Sequence, residues 1–264
     1  MPLKILLKFR AEKPVELSSL KPKVAHGIVF SLFKGAPEVG ELLHRGNVKP
    51  FSISIPSHFR YPERVVDRFG IVLNLLNNEL FPKISPYLFF PESRDVTVDG
   101  VRASLISVRP LEVVTYQDLL EVSPSGREIV IDFLTPTAFK RSVCDYPVPE
   151  PSLVFGSLLK RWNAFSPFKI EGKLIERVSR FVTVSGCWIR TRKVEIMNGA
   201  RLTGFVGRVF FYSFLREKEE NRILNALALF SRFSGIGRKT TMGFGAVRVI
   251  EPEKVNGNRE GADA

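Results

Sequence analysis

Cysteine and histidine are scarce in this chain, which has two of the first, Cys144 and Cys187, and three of the second, His26, His44 and His58. The two thiols stand far apart with no Cys/His cluster around either, which argues against a zinc site. Both are read as small core or near-core residues. No metal or cofactor is expected. Long hydrophobic runs are lacking as well. Stretches such as residues 28–33 and 225–230 are too short and too interrupted to span a bilayer. Residues 1–6 read as a strand and not as a signal peptide, since no small-residue cleavage site follows. The expectation is a cytoplasmic protein with no membrane partner. Disorder is excluded too, because 44% hydrophobic residues make an ordinary globular interior.

Acidic residues are the remaining deficit. The chain holds 27 Asp and Glu against 39 Lys and Arg, a net charge of +12. Residues 1–122 carry 16 basic against 13 acidic side chains, and the remainder carries 23 against 14. That asymmetry points to a polyanion held mainly by the second half.

The 264 residues suit one large domain or two of roughly equal size, and the pattern favours two. Residues 3–10 alternate apolar and basic positions as a strand does. Residues 21–33 read as an apolar helix ended by Gly35, and Pro37 suits the first turn of a short helix over 38–44. Strands are expected at 49–55 and 68–76 and a helix at 78–88. Asp99-Gly100 is a hairpin signal between 96–97 and 102–108. Strand, helix, strand, strand, helix, strand is the ferredoxin-like order. The second half repeats it, with strands at 127–134, 178–191, 204–214 and 244–250 and helices at 152–165 and 219–234. The reading is therefore α+β, with two tandem ferredoxin-like domains at 1–122 and 123–252 and a polar tail over 253–264.

The most informative segment is residues 235–245, GIGRKTTMGFG, which joins a helix to the last strand. Its glycines permit positive φ and a close backbone approach to a ligand. Arg238 and Lys239 add charge, and the Thr240 and Thr241 hydroxyls suit phosphate oxygens. It is not a nucleotide-binding P-loop, whose spacing and strand-to-helix order differ. The alternative is a plain glycine-rich connector.

Together with residues 135–140 (TPTAFK), 149–163 (PEPSLVFGSLLKRWN) and 204–207 (GFVG), this loop resembles the CRISPR-associated endoribonucleases of the RAMP superfamily. Those enzymes cut repeat RNA into guide units. The resemblance runs nearly end to end and implies two ferredoxin-like halves and a metal-independent ribonuclease. In such chemistry a ribose 2′-hydroxyl attacks the adjacent phosphate, leaving a cyclic phosphate and a free 5′-hydroxyl. It needs a general base, a general acid and a cation for the phosphorane.

His44 lies at the end of the second short helix, where the helix dipole favours the protonated imidazole. The resemblance implies a catalytic histidine there and a lysine after it, which would be Lys49. The alternative for His44 is a cap on helix carbonyls. His26 sits among Val29, Phe30 and Phe33, which suits a half-buried structural residue or a second proton-transfer group. Some relatives carry a tyrosine in the first helix where this chain has Phe30, which cannot move a proton. His58, in a Pro-flanked stretch, is expected in an exposed loop.

For RNA binding, Gly235, Gly237, Arg238, Lys239, Thr240, Thr241 and Gly243 are the loop candidates. Lys140 and Arg141 follow a strand, Lys160 and Arg161 end a helix, and Arg190 and Arg192 share one strand face. Together they are candidates for a phosphate-binding groove. Trp162 is read as core, and Trp188 is a candidate for stacking. Repeat RNA is the expected partner, with an effector complex as a further candidate and a monomer or homodimer as the assembly. A non-catalytic repeat-RNA binder or guide-complex scaffold is the alternative. A third reading, an RNA-recognition-type module, expects stacking aromatics on central strands, and the sequence shows no such signature.

Overall fold

Alternation dictates the first strand. Leu3, Ile5, Leu7, Phe9 and Ala11 are buried on one face, while Lys4, Lys8 and Arg10 take the other. The computed structural model describes residues 1–250 except 35, 45, 91, 92 and 198, and leaves the side chains of His44 and Met197 undescribed. Gly35 and the 253–264 tail thus lie outside the described residues.

The first half runs β1 (Leu3–Glu16), α1 (Pro22–Ser31), α2 (Pro37–His44), β2 (Phe51–Ser54), α3 (Pro56–Arg60), β3 (Val65–Leu75), α4 (Leu80–Phe89), β4 (Asp95–Val98) and β5 (Val101–Val113). Its antiparallel sheet has the order β2-β3-β1-β5-β4. After α5 (Tyr116–Glu121) the second half runs β6 (Glu128–Thr137), β7 (Phe139–Arg141), β8 (Cys144–Tyr146), α6 (Pro151–Phe165), α7 (Lys173–Phe181), β9 (Val182–Met197), β10 (Ala200–Ser213), α8 (Lys218–Ser234) and β11 (Val247–Ile250). Its sheet order is β11-β6-β10-β9. Both halves have the ferredoxin-like arrangement, and β4 is an extra edge strand added through the Asp99-Gly100 hairpin.

Three helices depart from the sequence reading. Residues 178–191 were expected as one strand, but 173–181 form α7, with Leu174 and Val178 buried one turn apart. α5 begins with a reciprocal capping box between Thr115 and Asp118, worth about 0.5–2 kcal/mol in a typical helix. α3 occupies the expected His58 loop. His58 is buried there and its Nδ1 donates to the Leu17 carbonyl at 2.7 Å. Cys144 and Cys187 are exposed rather than core. Cys187 lies on edge strand β9, and Cys144 on the small β7–β8 hairpin outside both sheets.

The two cores interlock. Ala138, Leu202, Met242 and Phe244 of the second half pack into the first core, and Leu76 joins the second. Trp162 is fully buried there, with Tyr116 and Phe230 both edge-on to it. The Tyr116 hydroxyl donates to the Leu76 carbonyl at 2.9 Å. Among the described residues no helix is long and apolar enough to cross a membrane.

Candidate active site and nucleic-acid interface

The glycine-rich loop starts where α8 ends and reaches across to the first half. Its glycines make room for the protein's own chain. A Cβ on Gly237, which has φ +80°, would meet the Ala138 carbonyl at 2.5 Å. One on Gly243, at φ +92°, would meet Ile55 Cγ1 at 2.7 Å. Most loop amides are also engaged internally. Gly237 donates to Ser157 Oγ, Arg238 to the Ala138 carbonyl and Gly245 to the Pro136 carbonyl. The Lys239–Thr241 turn, where Lys239 is left-handed at φ +61°, is part of the stretch that faces the cleft.

That cleft, of about 380 Å3, is lined by Asn47, Val48 and Lys49 after α2, by Ser157, Lys160 and Arg161 of α6, and by residues 237–241. Lys49 precedes β2 instead of starting it, and its Nζ donates to the Gly46 carbonyl at 2.9 Å. His44 closes α2, and its side chain lies outside the described residues. His26 joins the cleft through the loop, its Nδ1 lying 2.9 Å from the Thr241 carbonyl. A carbonyl can only accept, so Nδ1 carries the proton and the neutral ring has its lone pair on Nε2. Phe30 packs against the His26 ring with centroids 4.5 Å apart.

Arg161, expected near a helix end as a groove residue, sits within α6 and turns under the loop. Its guanidinium donates to the carbonyls of Ser234, Gly235 and Gly237 at 2.5, 3.2 and 2.7 Å. No carboxylate among the described residues pairs with it, and burial lowers its pKa to about 10. It braces the loop and adds positive charge beneath the cleft floor. Arg238 is tied to Asp145 of the β7–β8 hairpin. That hairpin also carries Lys140, exposed, and Arg141, which pairs with Glu150 at 3.7 Å and lies over the Tyr146 ring.

Arg190 and Arg192 are not in this cleft. They line a second groove with Arg60, Tyr61, Asp132, Trp188, Arg208 and Arg248. Arg192 donates to the Phe59 carbonyl at 2.6 Å, and Arg190 is exposed. Sequence reasoning missed Arg208 and Arg248, because only the cross-strand register assembles them around Asp132. The register also corrects the reading that central strands lack aromatics. Phe210 and Tyr212 are half-buried on central strand β10, and Trp188 lies edge-on to Phe210 at 5.3 Å. Among the described residues there is no group of three or more His, Cys, Asp or Glu side chains able to hold a metal ion.

Comparison with known proteins gives a consistent result. The family model described as CRISPR-associated endoribonuclease Cas6 matches residues 131–247. The CRISPR-associated endoribonuclease Cas6 of Mycobacterium tuberculosis is 34% identical over 131 residues, 48% of this chain. The match spans 40% of that relative's length. Among solved structures, a Cas6 product complex is similar at TM-score 0.77 and 28% identity, covering 95% of this chain and 100% of the other. Thermus thermophilus Cas6 is similar at TM-score 0.72 and 26% identity, covering 95% and 98%.

Proposed function

We propose that the chain is a member of the CRISPR-associated endoribonuclease Cas6 family, binding CRISPR repeat RNA and cutting the precursor transcript into guide units, a reading supported by the family match over residues 131–247 and the similarity to a Cas6 product complex. The observation that carries this reading is the convergence of Lys49, Lys160, Lys239 and the Thr240-Thr241 turn on one cleft, with His26 bonded to the same turn. Residues 1–122 supply the reacting groups and residues 123–252 the loop that holds RNA.

The reaction needs only side chains. A base takes the 2′-hydroxyl proton as that oxygen attacks phosphorus, and an acid protonates the departing 5′-oxygen. His26 Nε2 is the base, because the Thr241 carbonyl fixes the proton on Nδ1. His44, which closes α2, is the acid. Lys49 stabilises the negative phosphorane. Gly235, Gly237 and Gly243 shape the loop, and Thr240, expected to contact RNA, is buried beside Gly235 instead, while Lys140, Arg141, Lys160, Arg190, Arg192, Arg238, Lys239 and Thr241 contact RNA. Arg161 acts through the loop.

The protein works in the cytoplasm as a monomer or homodimer and hands its product to an effector complex. The alternative, a repeat-RNA binder without chemistry, draws on Phe30, which packs beside His26 and cannot transfer a proton. Incubating the protein with repeat RNA in excess chelator separates the two. Fragments ending in cyclic phosphate and 5′-hydroxyl support the enzyme; intact but bound RNA supports the binder.

A further inference from the structure

The outer face of the first sheet, opposite the one that buries Ile5, Leu7 and Phe9, holds a pocket of about 660 Å3. That volume lies in the range of small-molecule sites. Register sets its floor. Lys8 of β1 stands between Gly70 of β3 and Ser107 of β5, and cross-strand partners share a face. Gly70 puts no side chain beside Lys8, and a Cβ there would press on Leu6 Cδ1 at 3.1 Å. The wall comes from α3 and the turn after it, which bring His58, Tyr61 and Arg64 to the pocket. Arg64 is fastened to the turn at Leu17, its carbonyl accepting from the Leu17 amide at 2.9 Å.

The charged lining has one sign. Lys8, Arg64 and Arg68 border the pocket, and no Asp or Glu does. Arg68 meets only its neighbour Asp67, at 3.9 Å with both exposed. Three cations without a lining carboxylate suit the double charge of a phosphate monoester better than the single charge of a diester. Beside them His58 is 9% exposed and borders the pocket. Its Nδ1 donates to the Leu17 carbonyl, so Nε2 keeps a lone pair. That lone pair has no partner among the described residues, and a buried acceptor calls for a donor. Leu6, Val66 and Ile106 supply apolar surface, and Tyr61, 41% exposed, offers an aromatic face. A fatty anion would leave Nε2 unmet, and inorganic phosphate would leave the apolar surface uncovered. A nucleotide meets all three demands, with its phosphate, its base N–H groups and its planar ring.

We propose that this pocket binds a free nucleotide as its phosphate monoester, with the phosphate on Lys8, Arg64 and Arg68, the base against Tyr61 and the apolar surface, and a base N–H on His58 Nε2. The pocket shares no lining residue with the cleavage cleft, and the inference does not rest on the cleavage reading. It meets the second groove only at Ser57 and Tyr61. α3 also ties the pocket wall to the second half, because Arg192 donates to the Phe59 carbonyl. An occupant that joins α3 to the first sheet should therefore raise the melting temperature of the chain.

Adenosine 5′-monophosphate is the probe, titrated into the full chain by calorimetry. The expected result is saturable binding at one site, tighter than that of adenosine or inorganic phosphate alone. It should also be tighter than that of the diester adenylyl-3′,5′-adenosine. Arg64→Ala, at an exposed position, should weaken the monophosphate by roughly 10-fold or more. Ile106→Asp, also exposed, should weaken it by setting a carboxylate beside the phosphate site. His58→Asn keeps a donor for the Leu17 carbonyl and removes the Nε2 acceptor. It should weaken the nucleotide while leaving inorganic phosphate binding unchanged. Wild-type protein that does not bind the monophosphate, or equal affinity in Arg64→Ala and Ile106→Asp, overturns the site. So does a diester bound as tightly as the monoester, or a variant that loses RNA and keeps the nucleotide. Either would make the pocket an extension of an RNA path. A chain that binds the nucleotide yet cuts no repeat RNA sinks the cleavage reading and leaves this site standing.

Discussion

His26 donates from Nδ1 to the Thr241 carbonyl across 2.9 Å, tying the first helix of one half to the glycine-rich loop of the other. The bond both braces the loop and selects the tautomer, and a substitution can separate those effects. His26→Asn supplies an amide donor without a basic nitrogen. It should keep RNA affinity and thermal stability while lowering the single-turnover cleavage rate by about 10²–10⁴-fold. Wild-type cleavage by His26→Asn would reduce His26 to a brace.

Lys49 opens into the same cleft and is expected to act on rate more than on affinity. A contact made only in the transition state lowers the rate constant and leaves ground-state binding alone. Single-turnover rates and equilibrium binding of Lys49→Ala test this. Weaker binding with unchanged chemistry would make Lys49 an ordinary phosphate contact.

Arg238 and Lys239 are neighbours in sequence but not equivalents. Arg238 is paired with Asp145, whereas Lys239 is exposed at the turn. Lys239→Ala should therefore flatten the dependence of log affinity on log salt by about 1 unit. Arg238→Ala should change that slope less, because the Asp145 carboxylate already offsets its charge. Equal slopes for both variants and the wild type would show that RNA does not touch the turn.

Much of this was legible in the sequence because ferredoxin-like halves are written in local patterns. Alternation in residues 3–10, the Asp99-Gly100 hairpin and the apolar stripe of residues 219–234 each needed only near neighbours. The misses have a common physical origin, which is that tertiary contact decided them. His58 reads as a loop histidine until α3 folds it against Leu17. Arg161 reads as a surface cation, yet its partners are carbonyls over 70 residues away. The Trp188–Arg208–Asp132–Arg248 row exists only in the register of four strands. Two misses had a local signal. Thr115 with Asp118 three residues later marks the start of α5, and Leu174 with Val178 marks the buried side of α7.

Burial lowers the His58 pKa most strongly; the Leu17 carbonyl opposes this and Lys21 adds to the lowering. The folded chain therefore takes up a proton there less readily than the unfolded chain. The stability that depends on neutral His58 is complete above the ordinary histidine value near 6.5 and is lost as pH falls from there toward the folded value. His58→Asn should lower the melting temperature at pH 7.5 yet show a shallower decline between about pH 6.5 and 5. A decline as steep as wild type would place the titration elsewhere.

His44 closes α2 immediately before the turn that carries Lys49 into the cleft. Single-turnover cleavage of repeat RNA by His44→Ala in excess chelator, with RNA binding measured on the same preparation, tests the central claim most directly. The account predicts cleavage lower by about 10²–10⁴-fold with binding retained. Cleavage by His44→Ala at the wild-type rate would contradict it.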